Sequence, residues 1–258
     1  MGFNFGETGR LAEELLGGGS VKPTNNPELV VSMAQNNELC SPQTANNPRF
    51  KEQLFNLPRG IQILLDLAEQ HGKSRSREGQ AEIRKKMIQV KRKFDHKLLQ
   101  EALIRYTINA HDNSYLPSAP GPLYGGKGRN EFIGELAEQL AEDYDTDLDN
   151  IEFYNAADTP LDILYSTDGF FVLDGRLFGD NEKRVVPIDV TISRSKESKY
   201  QNPSGSLILY LNPEELDDER LEKYRDEFSQ QIKQAADTIG IDHALDDFQS
   251  KFDRGKAA

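Results

Sequence analysis

Cysteine is almost missing from this chain. Its 258 residues include one, Cys40, which excludes an internal disulfide and any cysteine-built zinc cage; a reducing, intracellular setting is expected. Long apolar runs are missing too. No stretch approaches the roughly eighteen consecutive apolar residues of a membrane span, so no membrane partner is expected. The first seven residues have neither a basic flank nor an apolar core, so no signal peptide is expected. Histidine is scarce: His71, His96, His111 and His243 are scattered, without metal-ligand spacing. Asp143, Asp145, Asp147 and Asp149 begin like a calcium loop. Leu148 stands where that loop needs glycine, and Tyr154 where it needs a bidentate glutamate. Gly125-Gly126-Lys127-Gly128-Arg129 is glycine-rich but lacks the full phosphate-loop pattern. Lys127 and Arg129 still suit contact with a DNA backbone.

Positive charge is in deficit overall. The formal net charge is -12, which argues against a general nucleic-acid coat protein. Its distribution is uneven. Residues 71–97 carry ten Lys or Arg against Glu78, Glu82 and Asp95, whereas residues 131–189 carry sixteen Asp or Glu against Arg176, Lys183 and Arg184. A basic segment therefore precedes an acidic body. One reading is a phosphate-binding element beside a cation-binding site; the other is a solvated helix face balancing an acidic neighbour. On the first reading, Lys85, Lys86, Arg92 and Lys93 contact nucleic acid.

Three regions are expected. Residues 1–60 read as an extended arm, rich in Asn, Pro and Gly, with short helical pieces that include one at Glu7–Leu16. Residues 61–118 read as a helical region. It opens with a helix at Gly60–Gln70. A long helix follows from Glu78 to about Ala110, on which Ile83, Met87, Val90, Phe94 and Leu98 recur at spacings of three and four. Pro117 to Pro122 breaks the chain. Residues 119–258 read as an α/β domain. Asn130–Tyr144 is its first helix. Strands are expected at Asn150–Asn155, Asp162–Ser166, Phe170–Leu173, Val185–Ser193 and Leu207–Leu211. Pro187 suggests an edge or a bulge. A closing helix spans Leu216–Ile239. The class is α+β, a small mixed sheet flanked by helices.

Two apolar segments in that domain each contain one carboxylate, Asp162 and Asp189. A carboxylate inside an apolar strand is costly unless a metal or a cationic partner compensates it. If those strands pair side by side, both carboxylates reach one edge, and Glu135 leans over it from the preceding helix. Phosphodiester cleavage needs such a set, because Mg²⁺ or Mn²⁺ held by carboxylates neutralises phosphate charge and activates water.

Gly134-Glu135-Leu136-Ala137-Glu138-Gln139-Leu140, then Thr159-Pro160-Leu161-Asp162-Ile163-Leu164, then Val185-Val186-Pro187-Ile188-Asp189-Val190-Thr191 resemble the PD-(D/E)xK nuclease superfamily. The resemblance covers roughly residues 128–236, about half the chain. It implies a mixed four-stranded sheet between helices. It makes Asp162 and Asp189 the metal carboxylates and Glu135 the helical one. Where the pattern wants lysine this chain has Thr191, which carries no positive charge. Arg194, Lys196 and Lys199 follow in the next loop, and Lys196 is the expected substitute because lysine is a compact point charge.

Two functions are expected from these residues. The first is a Mg²⁺- or Mn²⁺-dependent DNA endonuclease whose catalytic set is Glu135, Asp162, Asp189 and Lys196, with Arg194 helping to hold DNA. The second is an inactive protein of the same fold serving as a structural or interaction component of a larger assembly. In either case the arm is the expected contact for a protein partner or for a second copy. A phage or mobile-element origin suits both readings. The location is then cytoplasmic, or virion-associated for a phage component.

Overall fold

The computed structural model describes residues 25–114, 131–191, 206–210 and 218–238. In chain order the elements are α1 (Pro27–Gln35), α2 (Pro42–Asn46), α3 (Lys51–Leu54), α4 (Leu57–Lys73), α5 (Arg77–Lys91), α6 (His96–Ser114), α7 (Glu131–Asp143), β1 (Ile151–Asn155), α8 (Pro160–Tyr165), β2 (Gly169–Leu173), β3 (Arg184–Thr191), β4 (Leu207–Tyr210) and α9 (Asp218–Thr238). The fold is mixed α+β. It divides into two compact units. Of the described residues, 25–114 and 156–166 form a helical unit; 131–155, 167–191, 206–210 and 218–238 form a sheet unit.

The helical unit starts with well-capped short helices. Asn26 caps α1 by accepting from the Leu29 amide, with Pro27 at the first helical position, where its missing N–H costs nothing. Ser41 caps α2 in the same way. Leu57, Ile61, Leu64, Leu65 and Ala68 line the buried face of α4. The single long helix expected from Glu78 to Ala110 is instead two helices. Asp95 ends the first run: its carboxylate accepts from the Lys97 amide at 3.0 Å and pairs with Arg49 at 2.7 Å. An Asp at that position offers the backbone a cap and so favours a new helix start. The apolar spacing of three and four runs across the break because Phe94 faces inward there. A Cβ added to Gly60 would come within 2.5 Å of the Phe94 ring, so glycine is what lets the bend close on α4.

The sheet unit has strand order β1-β2-β3-β4. β1, β2 and β3 run antiparallel in sequence, and β4 is parallel to β3. Ile151, Phe153, Phe171, Leu173, Val186, Ile188, Val190 and Leu209 share one face and pack with Ile133, Leu136 and Leu140 of α7 and Phe228 and Ile232 of α9. The period of two sends Tyr154, Phe170, Val185, Asp189 and Thr191 to the opposite face, where all five are also buried. Pro187 sits where β3 pairs with β2 alone among the described residues; the β4 ladder begins at Ile188, so its missing N–H breaks no ladder bond.

The strand expected at Asp162–Ser166 is a helix, α8. Thr159 caps it, accepting from the Leu161 amide, and Pro160 holds its first position. This cap-plus-proline start outweighs the apolar run Leu161–Tyr165, which by itself suits either state. The helix expected at Glu7–Leu16 lies outside the described residues.

Candidate active site

The end of the β2–β3 ladder brings two acids of the sheet unit, Asp168 and Asp189, close along the backbone. The register pairs Gly169 with Ile188 and Phe170 with Pro187. The ladder ends there, and Asp168 stands just before it, against the β3 backbone. Two hydrogen bonds fix Asp168 there. Its amide donates to the Ile188 carbonyl at 2.8 Å, and its carboxylate accepts from the Val190 amide at 2.7 Å. Asp168 thus bonds both neighbours of Asp189. Carboxylates brought close together repel unless something nearby offsets the charge. Asp189 is 8% exposed.

Around this pair the site is polar and enclosed. Thr191, two residues beyond Asp189 on the same face, is 4% exposed. The hydroxyls of Thr167 and Ser206 lie 3.1 Å apart, both buried, and join the approach to β2 to the approach to β4. Asp168 is the residue that sequence reasoning missed. Ser166-Thr167-Asp168-Gly169 reads as a turn, and only the folded backbone shows its aspartate bonded to both neighbours of Asp189.

The other expected members fare differently. Asp162 is not a strand carboxylate. It lies on α8 in the helical unit, and it accepts from the Asp158 amide at 2.9 Å; the side-by-side strands that were to join it to Asp189 do not exist. Glu135 lies on α7, which covers the Val186, Ile188 and Val190 face rather than the Asp189 face. Its carboxylate forms an ion pair with Arg225 of α9, so its role here is to tie the two covering helices together. Asp143 does similar work, accepting from Ser229 at 2.6 Å and Gln230 at 2.9 Å. Arg194, Lys196, Lys127 and Arg129 lie outside the described residues. Lys85, Lys86, Arg92 and Lys93 are exposed.

Burial alters two bases at the end of α8 in the helical unit. Lys91 reaches under this helix, donating to the Leu164 carbonyl at 2.9 Å and lying 3.7 Å from the centre of the Tyr165 ring. Desolvation lowers its pKa to about 8. His96 stands edge-on to Tyr165, with ring centres 4.9 Å apart. Burial first, and the Lys91 charge second, lower its pKa to about 4.

The donor chemistry of Asp168 and Asp189 fits a hard divalent cation. Mg²⁺ commonly takes one or two protein carboxylates and completes its shell with water and phosphate oxygens. Among the described residues, no group of three or more His, Cys, Asp or Glu is placed to hold a metal. No helix among the described residues is long and apolar enough to cross a membrane. No family model matches the chain, and neither does any curated protein or solved structure.

Proposed function

We propose that this chain is a Mg²⁺- or Mn²⁺-dependent DNA nuclease, an endonuclease, in which Asp168 and Asp189 hold the metal. The observation that carries this reading is the pair of hydrogen bonds that ties Asp168 to both backbone neighbours of a buried Asp189. Two like charges there are stabilised by a cation. The surrounding frame agrees with the resemblance to PD-(D/E)xK nucleases: a helix, three antiparallel strands, a fourth strand parallel to the third, and a closing helix.

When bound, the metal supplies positive charge at the scissile phosphate and lowers the pKa of a water. The chain's own residues do the positioning. The Val190 amide aims the Asp168 carboxylate, β3 fixes Asp189, and Thr191 offers a neutral hydroxyl where a lysine would carry charge. Lys196, or Arg194, a few residues further along the sequence, supplies that charge.

A second reading is favoured by Thr191 itself. With no cation on β3 beyond Asp189, the fold serves as an inactive scaffold or interaction component. Nicking of supercoiled plasmid in Mn²⁺ separates the two. Asp168→Asn and Asp189→Asn should each lower the rate roughly a hundredfold or more, on the scale of removing a positioned electrostatic group. Asp162→Asn should leave it near the parent value. No cleavage by folded parent protein favours the scaffold.

A further inference from the structure

Phe55 is 90% exposed, the most exposed large apolar side chain among the described residues. A single exposed apolar residue is ordinary, but this one has a charged setting. Its backbone is helical, at φ -63° and ψ -35°, in the short link between α3 and α4. The Gly60 amide donates to the Asn56 carbonyl at 3.0 Å and the Leu54 amide to the Phe50 carbonyl at 3.0 Å, so helical neighbours hold through the link. Lys51 is one turn before Phe55 and Arg59 one turn after, and both are exposed. Residues four apart on a helix share a face. Among the described residues neither cation has an ion-pair partner. An aromatic ring thus stands in water between two uncompensated positive charges.

The bend after α5 is fastened to the same stretch of chain. The Asp95 amide donates to the Gln53 side chain at 2.5 Å, Arg49 pairs with Asp95, and Phe94 seats on Gly60. Arg92 and Lys93, exposed and likewise without an ion-pair partner among the described residues, project from that bend. Glu52, also exposed, lies three residues before Phe55.

We propose that this surface of the helical unit binds single-stranded nucleic acid, with a base stacked on Phe55 and the backbone phosphates held by Lys51, Arg59, Arg92 and Lys93. Exposed rings among cations are how proteins hold unpaired strands: each base offers a π-face, and the phosphates supply the salt-dependent attraction. A duplex keeps its bases stacked and has no face to offer Phe55. This deepens the nuclease reading by naming a substrate with an unpaired stretch, but binding itself depends on none of the carboxylates.

The test uses the full-length chain in EDTA, so that cleavage plays no part. A fluorescent oligothymidylate of about fifteen residues, within the span of known single-strand sites, is titrated by anisotropy. Phe55→Ala should weaken binding about fivefold to a hundredfold, the scale of one lost stacking contact. Phe55→Tyr should restore it. Lys51→Gln with Arg59→Gln should weaken binding and flatten its salt dependence. A blunt duplex of equal length should bind more weakly and ignore Phe55→Ala. Melting curves check that the exposed substitutions leave the fold intact. The proposal is overturned if the parent fails to bind the single strand, or if Phe55→Ala binds it like the parent, as a protein-docking role for this face predicts. Asp168→Asn with Asp189→Asn should bind like the parent, so failure of the nuclease reading and failure of this one are distinguishable.

Discussion

The two units of this protein treat charge in opposite ways. In the sheet unit several charges are paired: Glu135 with Arg225, Asp174 with Arg176, Asp180 with Arg184. Two further acids lie close along the backbone there, Asp168 being bonded to both neighbours of the buried Asp189. In the helical unit the buried acid is the satisfied one. Glu101, 2% exposed, accepts from the Ser41 amide, from the Thr44 hydroxyl at 2.7 Å and from Arg105 at 2.9 Å. Lys51, Arg59, Arg92 and Lys93 are surface cations of that unit with no ion-pair partner among the described residues. Exposed charge of that kind attracts a polyanion in a salt-dependent way, whereas a buried carboxylate gains most from a small cation. A polypeptide of net charge -12 can therefore still present a basic face.

The sharpest way to break that contrast is to alter charge at the sheet site. If Lys196 supplies the missing cation, Lys196→Ala should slow plasmid nicking by roughly a hundredfold or more while changing DNA binding little. Thr191→Lys should restore or raise the rate. Equal nicking by parent and Lys196→Ala would remove Lys196 from the site and leave the carboxylate pair in place.

On the helical side the effect is smaller and graded. Replacing Lys85, Lys86, Arg92 and Lys93 with Gln should flatten the slope of log affinity against log salt by up to about four. A variant that binds DNA with the parent's slope would make this face a solvated surface only.

The smallest effect concerns pH. The His96 pKa in the folded chain is pushed down to about 4 from an ordinary 6.5. As pH falls, the unfolded chain takes the proton first, so stability present above 6.5 is lost between 6.5 and 4. The loss should not exceed about 3 kcal/mol. Thermal melts across that window should show it, and His96→Phe, which keeps a ring against Tyr165, should remove it. An unchanged profile would place the acid sensitivity elsewhere.

Much of this arrangement is legible in the sequence, and the exceptions have physical causes. β1, β2, β3 and β4, together with α7 and α9, fall within a residue or two of their expected positions because apolar period and flanking turns agree there. Asp162 misleads because Leu161–Tyr165 is apolar enough for a strand; its helical start is written in Thr159 and Pro160, two positions where short-range capping decides. Asp95 is written in the same way, as a capping aspartate within an unbroken apolar stripe. Asp168 is different in kind. Nothing local distinguishes it from a turn residue, and the β3 backbone groups it bonds, on Ile188 and Val190, lie about twenty positions away, so only the fold reveals it. Phe55 is similar: its exposure is a tertiary fact, although Lys51 and Arg59 at four-residue spacing are visible beforehand.

The account stands on Asp168, rather than Asp162, being the partner of Asp189. Thermal melting with and without Mn²⁺ tests this most directly, because a ligand that binds only the folded state raises its stability by mass action. The parent and Asp162→Asn should both gain in melting temperature on adding Mn²⁺, whereas Asp168→Asn and Asp189→Asn should lose the gain. A gain that survives in both Asp168→Asn and Asp189→Asn, or that disappears in Asp162→Asn, would contradict it.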